Sequence, residues 1–184
     1  MNRIQFATTG LFAAWMAHDL EELATLSDNS RILVTRLPDW LPVPDSVRDQ
    51  GFTNRYVASA IAGVGLVVAA AAVRGYRTQG RSAFYQNALL GFGLHRLGHI
   101  GISLLTRGYV SGAATSPIIV IPFWLWATRA LNQAGIPNRR SVPVAIALAA
   151  GSIAGGHLVA SLLTADEIST PLAAYCQRIN DSGH

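Results

Sequence analysis

The stretch that decides the fold is YVASAIAGVGLVVAAAAV, residues 56–73. It carries no charge and is almost pure Ala, Val, Gly and Leu. A bilayer core about 30 Å thick needs about 20 helical residues to cross it. A run this long and this apolar reads as a helix across a membrane. Working outward, four more stretches reach that length, at 4–26, 84–106, 113–131 and 142–164. The sequence therefore predicts an all-α integral membrane bundle of about five transmembrane helices, in one domain over 1–184.

Composition agrees. Hydrophobic residues make up 51% and charged residues 13%, against roughly 25% charged in an ordinary soluble domain. All 14 basic residues are Arg, against 10 acidic ones, giving a net charge of +4. The pI of 9.8 suggests nucleic acid, but the arginines are scattered at the ends of apolar runs, where membrane-flanking charge belongs. The composition excludes a disordered chain, a nucleic-acid-binding basic domain and, with a single Cys, a disulfide scaffold.

Between the first two spans, 27–55 holds Pro38, Pro42, Pro44 and four aspartates, too polar to span and too Pro-rich for one helix. Trp40 and Leu41 suit the membrane interface. The tail, 165–184, ends polar and contains Cys176, to which no role is given. Arg3 followed by an apolar run resembles a signal peptide, but Phe12 or Trp15 stands where cleavage needs a small residue, so the first helix is read as retained. Arginines divide almost evenly between the two sides, and the short loops favour the N-terminus inside and the C-terminus outside.

A charge at the centre of a membrane helix costs about 2.5–3.5 kcal/mol and needs a reason. His18, Glu21 and Glu22 stand at i, i+3 and i+4, on one helical face. His95 and His99 stand at i and i+4, a spacing that lets two imidazoles bind one metal. His157 follows two glycines that allow a neighbouring helix to come close. Spans one, three and five run in the same direction. Counted back from their expected C-terminal ends, Glu22 lies 4 residues in, His18 8, His99 7, His95 11 and His157 7. At about 1.5 Å per residue, these groups share a level within roughly two turns and can converge.

Other polar residues in or near the spans carry plainer readings. A lone His on an apolar face, as His157 is, is as often a satisfied core residue. Arg96 points about 100° from His95 and either pairs with an acid or snorkels. Asp19 is off the shared face and is left outside the ligand set, and His184 ends a loose tail. Asn87 and Ser103 share the His95 stripe at four-residue steps and are candidates to orient substrate or water.

The segment His18-Asp19-Leu20-Glu21-Glu22 resembles the signature of a family of small bacterial membrane proteins named for an HxxEE motif. Asn87-Ala88-Leu89-Leu90, then His95, His99 and Ser103, then Tyr109 and Gly112, are similar to that family's second block. The resemblance covers about residues 5–135. Ser111 stands where the family usually has Pro. The family is largely uncharacterised, so the resemblance implies a motif and no reaction.

The residues themselves suggest chemistry. Two carboxylates and up to four imidazoles form a ligand set for one or two divalent transition metals, zinc or iron, and a dication offsets buried carboxylates that would otherwise protonate. His18, Glu22, His95 and His99 are the expected metal ligands. Glu21 is a further ligand or the general base, and His157 a ligand or proton donor. The expected activity is that of a membrane metalloenzyme, hydrolytic or oxidative, on a hydrophobic, lipid- or isoprenoid-like substrate entering from membrane lipid, in the bacterial inner membrane and without nucleic acid. A metal-free Glu/His acid–base enzyme (isomerase, terpene-type cyclase or intramembrane peptidase) is the alternative. The peptidase ranks lower because Leu26 holds the place of the Arg that follows the Glu pair in such enzymes. A proton-coupled transporter is the third reading. It is weakened because the five spans show no internal repeat, although a homodimer would supply symmetry.

Overall fold

A computed structural model describes residues 1–34 and 51–165. Trp40, Leu41 and the prolines of the first loop, and the tail with Cys176, lie outside the described residues. The described residues form five α-helices and no strand. Helix α1 is Arg3–Val34, α2 Asn54–Arg77 and α3 Ala83–Thr106. A π-helical turn, Ser116–Val120, leads into α4, Ile121–Gln133, and α5 is Val142–Leu163. The chain is an all-helical bundle. Three of its helices are long and apolar enough to cross a membrane: α2 with mean hydropathy 2.2, α3 with 1.3 and α5 with 1.7.

The other two helices fall short of that measure for physical reasons. In α1 the His18–Glu22 cluster and the polar turns after it dilute the apolar run. Yet nothing halts the helix before Pro38, so it continues through 27–34, which the sequence had assigned to loop. At 32 residues it is about 48 Å long, well beyond the hydrocarbon thickness. The expected fourth span, 113–131, becomes a turn, a π-helical segment with Pro117 in its first turn, and the 13-residue α4.

Local chemistry sets the helix ends. Thr53 and Ser82 cap α2 and α3, their hydroxyls accepting from the amides of Tyr56 and Tyr85. Helix α2 packs mainly on α5 and α1, and α5 also covers α3. The α2–α5 crossing is tight because Gly63 meets Gly156: a Cβ on Gly63 would lie 3.0 Å from the Gly156 Cα. Leu11, Trp15, Tyr85 and Leu89 fill the core between α1, α2 and α3. The buried Tyr85 hydroxyl donates to the Ala7 carbonyl at 2.9 Å. Leu66, Leu105, Ile118 and Leu162 are exposed, the surface expected of a protein solvated by lipid.

The two ends of the bundle differ. At one end Gln86 donates to the Gly80 and Pro137 carbonyls and accepts from the Arg139 amide, joining the α2–α3 turn to the α4–α5 loop. Arg3 reaches Gln133 at the same end. At the other end, Ser30 binds the Phe52 amide and Asn29 binds Ser111. This places segments 51–53 and 107–115 around the C-terminal part of α1, next to the polar cluster.

Candidate functional site

Helix periodicity brings His18 over Glu22 on α1 and His95 over His99 on α3, and the two pairs reach each other through their side chains. His18 Nε2 lies 3.0 Å from Glu22 Oε1. The same oxygen is 3.5 Å from His99 Nε2, which is 3.2 Å from His95 Nε2. A tetrahedral site with bonds of about 2.0–2.1 Å sets neighbouring ligand atoms about 3.3 Å apart. His18, Glu22 and His99 form a group that could hold a metal ion, with ligand atoms all within 4.8 Å of one another. His95 stands one contact further out, on His99.

Hydrogen bonds on the far side of the rings identify which nitrogens face the cluster. His99 Nδ1 lies 2.7 Å from the Ser111 carbonyl oxygen. A carbonyl can only accept, so we assign the proton to Nδ1, which leaves the neutral ring's Nε2 lone pair facing Glu22. His18 Nδ1 lies 2.7 Å from Thr115 Oγ1 and its Nε2 faces Glu22 as well. Two imidazole nitrogens and a carboxylate oxygen thus converge, and such a set calls for a cation or a proton between them. A second hydrogen bond orienting each ring from behind is the usual setting of a metal-binding histidine.

Arg96, 4% exposed, is the fixed cation of the cluster among the described residues. Its Nη1 donates to Glu22 Oε1 at 3.1 Å and lies 3.2 Å from His99 Nε2, and its Nη2 is 3.6 Å from Asp19 Oδ2. The guanidinium sits over the Phe92 ring, 5.0 Å from its centroid. Glu22 and Asp19 both face this guanidinium, Asp19 at the longer distance.

Glu21 faces elsewhere. Both its oxygens are taken by the 109–115 segment. Oε1 accepts from the Tyr109 hydroxyl and, at 3.2 Å, from the Ala114 amide, while Oε2 accepts from the Thr115 amide at 2.8 Å and hydroxyl at 2.5 Å. Partial burial, and next to it the bond to Glu21, hold the Tyr109 phenol above its ordinary range, so it remains a donor. Gly112 in this segment lies against His18 and Glu22, at φ +82°.

A cavity of about 300 Å³ opens beside the cluster, between α1, α2, α3 and α5. Asp19, Glu22, His95, Arg96 and His99 form its polar wall, and the rest is largely apolar, including Val64, Val68, Leu148 and Ala149. His157 lines the same cavity from α5 but bonds the Tyr56 hydroxyl through Nδ1 at 2.9 Å, apart from the cluster. Asn87 and Ser103 are not brought to it. Asn87 donates to the Ala83 and Arg139 carbonyls and accepts from the Ser141 amide, tying down the α4–α5 loop. Ser103 donates to the Gly108 carbonyl at the end of α3.

Sequence reasoning gathered His18, Glu22, His95 and His99 and underrated four neighbours. Arg96 and Asp19 carried a usable signal, since opposite charges within two apolar spans must find partners. Ser111 and Thr115 carried none, because they act through a carbonyl and a hydroxyl that no pattern marks.

No curated protein and no solved structure matches the chain. A family model described as "protein of unknown function with HXXEE motif" matches residues 9–127. That range covers well over half of the chain and contains every residue of the cluster and of the segment that closes it, but not α5 or His157. The motif's histidine and second glutamate are the pair that meets at 3.0 Å. The chain belongs to the HXXEE-motif family.

Proposed function

We propose that this protein is a metal-dependent membrane enzyme acting on a hydrophobic, lipid- or isoprenoid-like substrate in a bacterial inner membrane. The observation that carries the reading is the convergence of His18 Nε2, Glu22 Oε1 and His99 Nε2 on the wall of an apolar cavity, with His95 as the fourth candidate ligand. A divalent zinc or iron held there would supply Lewis acidity or redox capacity, hydrolytic in the first case and oxidative in the second. The residues around it have separable tasks. The apolar walls seat the substrate chain. Arg96, held between Glu22 and Asp19, offers fixed positive charge to an oxygen that becomes negative during reaction. His157, oriented by Tyr56, is a proton donor on the α5 side.

A second reading, a metal-free acid–base enzyme, is favoured by one contact: Arg96 already bonds both Glu22 and His99. Elemental analysis separates the two. Protein purified in detergent without added metal should carry about one or two equivalents of zinc or iron, and His99→Ala should lose most of it. Well-folded wild-type protein with no stoichiometric metal rejects the metalloenzyme and favours the second reading.

A further inference from the structure

Glu21 is the acid of the motif that does not face the cluster, and its surroundings give it a different task. Four donors converge on its carboxylate, two of them backbone amides. Such a set favours the ionised form, which only accepts. The hydroxyl proton of Thr115 therefore points at Glu21 Oε2, and the remaining lone pair of Thr115 Oγ1 faces His18 Nδ1 at 2.7 Å. That nitrogen must then be the donor.

We propose that Glu21 and Thr115 are positioning residues: the chain from Glu21 through the Thr115 hydroxyl to His18 Nδ1 fixes the imidazole with its proton on Nδ1 and its Nε2 toward Glu22. The proposal deepens the metal-site reading and rests on it for its consequence, because Nε2 binds a metal only when unprotonated. The same short segment does this for both rings. Ser111 holds His99 through its carbonyl, Thr115 holds His18 through its hydroxyl, and Glu21 fastens the segment to α1. In the motif, His18 and Glu22 meet at the cluster, and Glu21 governs how His18 is presented there. Glu21 is thereby a positioning residue instead of the general base that spacing alone suggests.

The test uses full-length protein in detergent with ¹⁵N-labelled histidine, His18 being identified by the signals lost in His18→Asn. Two-bond ¹H–¹⁵N correlations, taken at a pH where the His18 ring is neutral, should show Nδ1 of His18 protonated in the wild type and in Thr115→Ser. In Thr115→Val and Glu21→Gln the proton should redistribute between the two nitrogens. Zinc titration of the same samples should weaken by roughly 10–100-fold in Thr115→Val and Glu21→Gln, and by less than about threefold in Thr115→Ser. An unchanged His18 tautomer in Thr115→Val, or a Thr115→Ser as damaged as Thr115→Val, overturns the relay. If Thr115→Val fails to fold, Glu21→Gln decides the tautomer by itself. Wild-type protein that takes up no zinc rejects the metal reading, while the tautomer comparison still decides the relay.

Discussion

Gly112 is where a single added carbon should do most damage to the cluster. Its φ of +82° is one that residues with a Cβ rarely adopt, and a Cβ there would lie 2.8 Å from His18 Nε2 and 3.0 Å from Glu22 Oε1. The backbone strain costs about 1–2 kcal/mol, which a bundle of this size can absorb, but the contact with two candidate ligands cannot be relieved without parting them. Gly112→Ala is therefore expected to keep its helical circular dichroism and lose at least nine-tenths of its bound metal. Wild-type metal content in that variant would mean that the ligands lie elsewhere. His95→Ala should do less harm than His99→Ala, because His95 reaches the group only through His99. The comparison belongs in the same metal assay.

At the scale of the helix, Asn87 separates two roles. Its amide bonds two carbonyls and its oxygen takes the Ser141 amide. Asn87→Ala should thus leave backbone groups of the α4–α5 loop unpaired and cost about 1–3 kcal/mol, read as a lower melting temperature in detergent, with metal content unchanged. Loss of metal without loss of stability would instead tie Asn87 to the ligand cluster. Much of the architecture was legible in the sequence, because lipid forces long uninterrupted apolar helices and those are visible as such. The shared depth of His18, Glu22, His95 and His99 was legible for the same reason. The four-residue stripe from Asn87 to Ser103 does not converge on the cluster. Over 16 positions it climbs about 24 Å along α3, so its ends serve opposite ends of the bundle. The end of α1 was also hidden, because polarity marks departure from lipid while only Pro or Gly marks the end of a helix, and neither occurs between Gly10 and Pro38.

For the whole molecule, the Gln86 contacts fix the α2–α3 turn and the α4–α5 loop at one end, with the cluster nearer the other. Arg3, Arg74, Arg77, Arg81, Arg129, Arg139 and Arg140 belong to that first end, and the segments 1–4, 74–82 and 129–141 contain no acid. By the positive-inside rule such an end is expected on the cytoplasmic side. Reporter fusions after Arg77 and after Arg139 should both report the cytoplasm, and a fusion after Gly108 the opposite side. A cytoplasmic signal from Gly108 would show that α3 does not cross.

The fastening of α1 by the 109–115 segment also sets a timetable. His18 and Thr115 are 97 residues apart in the chain, and synthesis at about 5–20 residues per second separates their emergence by roughly 5–20 s. When α1 reaches the membrane's vicinity, Asp19 and Glu21 have none of the partners named above, and Glu22 has only His18. Arg96 arrives on α3 first, and the segment that clasps Glu21 follows. The first helix to be made is thus among the last to acquire its final environment, and the nascent chain must shelter three acids until the second half of the protein exists.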